Sequence, residues 1–122
     1  MSLDYCIKRA KELASSRKIE ANFHYAVVCD NKGRILGEGQ NLYQKSHPLQ
    51  AKYARLSGNP DKTFLHAEVA SLIRAAKTGK PCTIYVVRIG KRGNVMYSEP
   101  CPSCVLAIKE AGIKVVVFST GE

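Results

Sequence analysis

Apolar residues recur along this chain at two different spacings, and the changes between them mark out its elements. Leu3, Ile7, Ala10, Leu13 and Ala14 stand three or four apart, which predicts an amphipathic helix from Leu3 to Arg17, with Ser2 and Asp4 as start signals. Phe23 to Asp30 is an apolar run that reads as a strand. Asn31-Lys32-Gly33 turns the chain, and Arg34 to Asn41 returns as a second strand. Leu42 to Thr63 is less regular. His47-Pro48 resists a helix interior, because a residue before proline is pushed toward extended geometry. Leu49 to Leu56 fits a short helix that Gly58-Asn59-Pro60 ends.

The second half is more clearly written. Leu65, Val69, Leu72, Ile73 and Ala76 share one face of a helix from Phe64 to Lys77. Thr83 to Ile89 is a β-branched strand. Gly90-Lys91-Arg92-Gly93 turns, and Val95 to Tyr97 pairs back. Pro102 to Ala111 forms a third firm helix stopped by Gly112, and Ile113 to Phe118 is the last strand. This alternation predicts an α/β fold with helices on both faces of a mixed sheet. The opening hairpin is antiparallel, whereas strands joined through helices are expected to run parallel.

Composition narrows the class. The 122 residues fit one domain over 1–122, and 45% hydrophobic with 24% charged content is ordinary for a soluble globular chain. No apolar run approaches the roughly 18 residues of a membrane helix. The opening Met-Ser-Leu-Asp-Tyr lacks an apolar signal core, so a cytoplasmic location is expected. Five cysteines are an odd count for a disulfide framework. Cys6, Cys29 and Cys82 are expected to be reduced and buried, with Cys6, on a helix, open to either a core or a surface place. The net charge of +9 favours anionic partners, but Lys and Arg are scattered. That scatter suits a small phosphorylated molecule better than a polynucleotide, which prefers a basic stripe.

The candidate chemistry sits in two short motifs, His66-Ala67-Glu68 and Pro100-Cys101-Pro102-Ser103-Cys104. Each falls at a helix start, with His66 and Cys104 expected in first turns and Cys101 just before its helix. Residues three apart on a helix share a face, and a helix N-terminus favours thiolate over thiol. His66, Cys101 and Cys104 make three zinc ligands, and a catalytic zinc keeps three and leaves a position for water. Glu68 is a spare carboxylate able to move protons. Taken singly, the histidine, the Cys-x-x-Cys pair and the glutamate each have structural readings, as a helix residue, a redox pair or half of a zinc knuckle, and a cap. Jointly they form the H-x-E…P-C-x-x-C pattern of zinc base deaminases.

Through these residues the chain resembles the cytidine deaminase-like superfamily, in particular its deoxycytidylate deaminase-like branch. The resemblance is specific at His66-Ala67-Glu68-Val69 and Glu99 to Cys104, and loose over about residues 21 to 119. It implies a three-layer α/β/α sandwich with a mixed four- to five-strand sheet, Zn2+ on His66, Cys101 and Cys104, and Glu68 as proton shuttle. It further implies substrate contacts from Asn41, which closes Gly37-Glu38-Gly39-Gln40-Asn41, from the backbone of Ala67, and from Glu99. His66 argues against the free cytidine deaminase branch, which usually carries Cys there. The long segment before His66 resembles deoxycytidylate deaminases, and its Lys45, His47, Lys52 and Arg55 offer reach toward a phosphate.

The expected activity is hydrolytic deamination of a cytosine nucleoside or nucleotide, dCMP to dUMP with release of ammonia. The alternatives are a deaminase of cytosine or adenine in single-stranded DNA or RNA, a guanine-type base deaminase, and a non-catalytic zinc module, against which Glu68 speaks. The family usually continues beyond the strand that ends this chain. A homo-oligomer is therefore expected, with a neighbouring chain completing the pocket and the Gly90 to Tyr97 hairpin and third helix leading the contact.

Overall fold

The computed structural model describes residues 1–15, 22–58 and 64–121, with only the backbone of Tyr43, Gln44 and Phe64. The first helix, α1 (Leu3–Ser15), starts where the sequence places it, and the Ser2 hydroxyl accepts the Tyr5 N–H. The expected end at Arg17 lies outside the described residues. Strands β1 (Phe23–Cys29) and β2 (Ile35–Gln40) form the antiparallel opening hairpin. Its turn is held by Asp30, which accepts the N–H groups of Lys32 and Arg34 and the Arg34 Nε–H at 2.7 Å.

The segment read as irregular is more ordered than expected. It holds β3 (Leu42–Ser46), α2 (Pro48–Leu56) and β4 (Phe64–Leu65), and β3 pairs with β4 in a separate two-stranded ladder. Proline at the first position of α2 needs no N–H there, and His47 before it caps the helix. Phe64 and Leu65 are thus strand, and the following helix, α3 (Ala67–Ala75), is shorter at both ends than its periodicity suggests. Ala76 turns out exposed, and Ala75 takes the buried position. Then come β5 (Thr83–Ile89), β6 (Val95–Met96), α4 (Pro102–Glu110) and β7 (Val115–Phe118).

The main sheet has five strands, ordered β2-β1-β5-β6, with β7 also on β5. β7 runs parallel to β5, as its helical crossover requires. β1 lies between β2 and β5 and is antiparallel to both, so the strands on either side of the α2–α3 crossover share a direction without touching. β6 and β7 divide the outer edge of β5, β6 at Arg88 and Ile89, β7 from Thr83 to Val86.

Strand alternation sorts the core into two layers. Phe23, Tyr25, Val27 and Cys29 of β1 face α1, with Val87 and Ile89 of β5. Ala26, Val28, Ile84 and Val86 face α3 and α4. Cys6, whose place the sequence left open, is fully buried on the α1 side, and Cys29 is buried too. Cys82, expected to be buried, is only half-buried because it precedes β5 rather than lying within it. The arrangement is a three-layer α/β/α sandwich on a mixed five-strand sheet. α3 lies very close to β2 because that strand is glycine there. A Cβ at Gly39 would stand 2.7 Å from the Ala67 carbonyl oxygen and the Ser71 nitrogen, and one at Gly37 would meet Ser71 and Ala75 backbone as closely.

Candidate metal centre and active site

β4 and α3 deliver His66. It is the residue just before the helix, not part of its first turn, with extended φ −80° and ψ 153°. The shift follows from β4: pairing of Leu65 with Leu42 holds the chain extended up to His66. Cys101 occupies the equivalent place before α4, with Pro102 at the first helical position and Cys104 in the first turn. Neither His66 nor Cys101 caps its helix with its side chain. Both side chains are turned instead to a common point. His66 Nδ1 lies 3.4 Å from Cys104 Sγ and 3.6 Å from Cys101 Sγ, and the three donor atoms all fall within 4.8 Å of one another.

The approach to Cys101 is fixed by a small hydroxyl cluster. The Ser98 hydroxyl donates to the Val86 carbonyl and meets the Ser119 hydroxyl at 2.7 Å, and Ser119 N–H donates to the Ser98 oxygen. This ties the exit of β6 to the ends of β5 and β7, so the Glu99-Pro100-Cys101 segment leaves from a rigid base.

The donor set fits zinc. One imidazole and two thiols at this spacing are typical of an open zinc site, and among the described residues no fourth His, Cys, Asp or Glu joins the group. All five cysteines are free thiols. The Cys104 thiol, with His66 beside it, holds Cys101 down to about 3, against the opposing effect of burial. Cys104 is pushed well up, because it donates to the Cys101 thiolate and is buried. The pair thus favours the thiolate form on Cys101, the form that binds metal.

Glu68, one residue into α3, is buried against this group. Burial raises its pKa; the Glu68 backbone N–H, His66 and a hydrogen bond with Cys104 oppose that rise. Its Oε1 has no hydrogen-bond partner among the described residues. An orphaned buried acceptor costs about 1–3 kcal/mol. Its persistence beside three metal donors is what a proton-carrying carboxylate requires.

The remaining sequence candidates divide. Asn41 is buried, and its amide is already engaged: Oδ1 accepts the His24 N–H at 2.9 Å and Nδ2 donates to the Asn22 carbonyl at 3.2 Å. It pins the start of β1 to the end of β2. Ala67 is buried at the first position of α3, where backbone N–H groups lack helical acceptors. Glu99 is exposed and accepts the Tyr97 hydroxyl at 2.5 Å. Lys45 is exposed on β3. His47 accepts the Leu49 N–H through Nδ1, so its ring serves as the α2 cap. Lys52 is drawn to Glu110 at 3.4 Å.

Sequence reading missed three residues at this end of the sheet. His24 of β1 and Arg88 of β5 are register partners on the face that carries Ala26 and Val86, and Asn41 bonds to His24 from the other side. A polar row therefore runs across β1 and β5 to the residue just past β2, beside the metal ligands. His24 is held down to about 4 by burial and then by Arg88, with His66 a smaller contributor, so its imidazole is neutral. The third is Gln50 of α2, fully buried, whose Oε1 accepts the His66 N–H at 3.1 Å. The alternation of β1 could have pointed to His24; nothing local marks Gln50. A cavity of about 470 Å3 lies at the opposite end of the sheet, between Asp30, Lys80 and Lys114, and contains none of the metal donors. The chemistry belongs at the metal end, where the donors and the buried carboxylate converge.

Comparison with known proteins agrees with this geometry. No curated protein sequence matches the chain. Solved structures share its fold, two of them forms of one enzyme. A glutamate-to-glutamine mutant of the cytidine deaminase from Mycobacterium tuberculosis superposes with a TM-score of 0.59 at 16% identity, covering 100% of this chain and 90% of that one. A glutamate-to-aspartate mutant of the same enzyme gives 0.56 at 18% identity, covering 93% and 82%. Residues 1–120 match the family described as the cytidine and deoxycytidylate deaminase zinc-binding region. With its His, Cys, Cys donor group in place, the chain belongs to that family and is a zinc-dependent hydrolytic deaminase.

Proposed function

We propose that this enzyme deaminates the cytosine of a nucleoside monophosphate, converting dCMP to dUMP and ammonia. The observation that carries the reading is Glu68, a buried carboxylate with one unpartnered oxygen beside a three-donor metal group. Zinc, when bound to His66, Cys101 and Cys104, supplies an acidified water as nucleophile. With the metal in place, Glu68 would take a proton from the attacking water and pass it to the pyrimidine ring nitrogen next to the carbon under attack. A C–O bond forms at that carbon, Glu68 takes the remaining proton from the new hydroxyl and gives it to the amino group, and the C–N bond breaks to leave a carbonyl and ammonia. No electrons are exchanged with a second reagent. Burial suits Glu68 to this work, because a raised pKa brings it nearer the operating pH.

Support for a phosphorylated substrate comes from Arg88, a half-buried cation on the metal face of the sheet. Of the four side chains the sequence offered toward a phosphate, Lys45 and Arg55 remain exposed, whereas His47 and Lys52 are engaged within the fold. Asn41 acts in this reading chiefly by fixing His24, and Glu99 and the Ala67 N–H border the base. The test is ammonia release from cytosine, adenine and guanine compounds as base, nucleoside, monophosphate and oligonucleotide. The highest kcat/KM is expected for dCMP; a higher value for deoxycytidine, an oligonucleotide or a purine would replace this reading.

The assembly reading also needs one revision. Val95 is in the core, so the hairpin offers less apolar surface than its sequence suggests. Exposed apolar residues on this side of the fold are Tyr97 after β6, Val105 on α4, and Val115 and Val116 on the edge strand β7. We propose a homo-oligomer formed through the β7 edge of the sheet together with α4. Light scattering at micromolar concentration is expected to give a multiple of 13.4 kDa, and a monomer would refute it. The free thiols fit a reducing cytoplasm, and no helix among the described residues is long and apolar enough to cross a membrane.

A further inference from the structure

We propose that α2 is a brace across the two halves of the metal centre, and that Gln50 is the residue that positions His66 for zinc. The inference rests on His66 being a ligand, as argued above, and goes beyond it to how the ligand is held.

His66 precedes α3, so its N–H has no carbonyl one helical turn earlier to bond. Gln50 supplies the acceptor, Oε1 at 3.1 Å, from a different helix. The amide is fully buried, and its Nε2 finds no acceptor among the described residues. A leucine of similar size would fill the same space without burying that unmet donor. Packing therefore does not account for glutamine at this place, and the bond to the His66 backbone does.

The same helix also grips the other half of the centre. The Tyr53 hydroxyl donates to Glu110 of α4 at 2.5 Å, and Lys52 reaches the same carboxylate. The Ser57 hydroxyl, just past α2, meets the hydroxyl of Ser103 at 2.8 Å. Ser103 stands between Cys101 and Cys104 in the chain. One nine-residue helix thus bonds to the backbone of the histidine ligand at one end and to the helix of the two thiol ligands at the other. Residues that orient metal ligands from behind typically change metal affinity 10–100-fold when replaced.

The test compares Gln50→Leu, Gln50→Glu and Tyr53→Phe with the parent protein. Zinc affinity is measured by competition with a chelator of known strength, and thermal unfolding is followed on the metal-free form. Gln50→Leu is expected to weaken zinc by about 10–100-fold. Its metal-free melting temperature should stay within a few degrees of the parent, because the lost bond to His66 is offset by removal of the unmet donor. Gln50→Glu, which keeps an acceptor oxygen, should recover most of the affinity. Tyr53→Phe, which touches no ligand, should weaken zinc by a smaller factor. Parent-like zinc affinity in Gln50→Leu would overturn the proposal. So would a large fall in metal-free stability with unchanged affinity, which would make Gln50 a core residue only. A parent protein that binds no zinc would instead sink the metal reading beneath it, and that outcome is visible before any variant is made.

Discussion

The two faces of the sheet use the same residue type to opposite ends. On the α1 face, Cys6 and Cys29 lie among Phe23, Tyr25, Val27 and Ile89. Burial pushes Cys6 up to about 12, with Cys29 next, and burial raises Cys29 as well. On the α3–α4 face, Cys101 is held down to about 3 by Cys104 and His66. A thiol in an apolar layer behaves as a small hydrophobe, whereas the same thiol at a helix start, beside a donor and an imidazole, becomes a ligand. The difference arises along the strands. Both layers are apolar in the middle, and the second gives way at one end to His24, Asn41, Arg88, Glu68 and Gln50. One face stabilises the fold; the other carries chemistry at its rim.

The sharpest way to break this contrast is to remove a ligand. Cys104→Ser is expected to lose stoichiometric zinc and nearly all deamination, read by metal analysis and ammonia release. Cys29→Ser on the other face should leave both intact in the folded fraction. Next in size is Glu68→Gln, which should keep the zinc and lower kcat by about 10²–10⁴-fold. Activity near that of the parent would remove Glu68 from proton transfer. The α1 face should answer in stability alone. Val27→Ala, at a fully buried position, is expected to cost about 2–3 kcal/mol in chemical unfolding, while kcat/KM well below the melting temperature stays unchanged.

Two smaller effects sharpen the comparison. After zinc is stripped, Cys101 should react with a thiol reagent at neutral pH, whereas Cys6 and Cys29 should remain silent until the protein unfolds. Equal labelling of all three would contradict the opposed environments. The last effect concerns His24, whose pKa is lowered from 6.5 to about 4. Between those values the unfolded chain binds a proton that the folded one does not, so stability should be full above pH 6.5 and fall as pH drops toward 4. Melting temperatures over that range should decline less steeply in His24→Asn, and parallel curves would show that the imidazole does not titrate this way.

Much of this division was legible from residue order. Period and ligand spacing located α1, α3, α4 and the donors, because those signals are local. The β3–β4 ladder was not legible. Its two partners are far apart in sequence, its register is irregular, and Phe64-Leu65 also continues the apolar stripe of the next helix. That overlap is why His66 was expected inside α3. His24 and Arg88 were missed because their proximity depends on the β1–β5 register, which neither strand announces alone. Gln50 looked like one polar residue on a short helix, and its burial depends on α2 packing over α4. Asn41 was marked by its motif, but its two bonds to the start of β1 depend on pairing across the hairpin.

The glycines of β2 have a consequence for anyone wishing to change what this enzyme accepts. With no side chain at Gly37 or Gly39, the gap between strand and α3 is set by backbone against backbone. The height of α3 above β2 is thus set at the backbone, and the Gln50 bond to the His66 N–H acts on top of that fixed level. His24 and Arg88 can be exchanged for other shapes and charges while that height stays constant, which makes them the natural starting positions for a substrate-scope library. Even a single methyl at Gly39 would shift the reference level itself, and no choice elsewhere in the library would restore it.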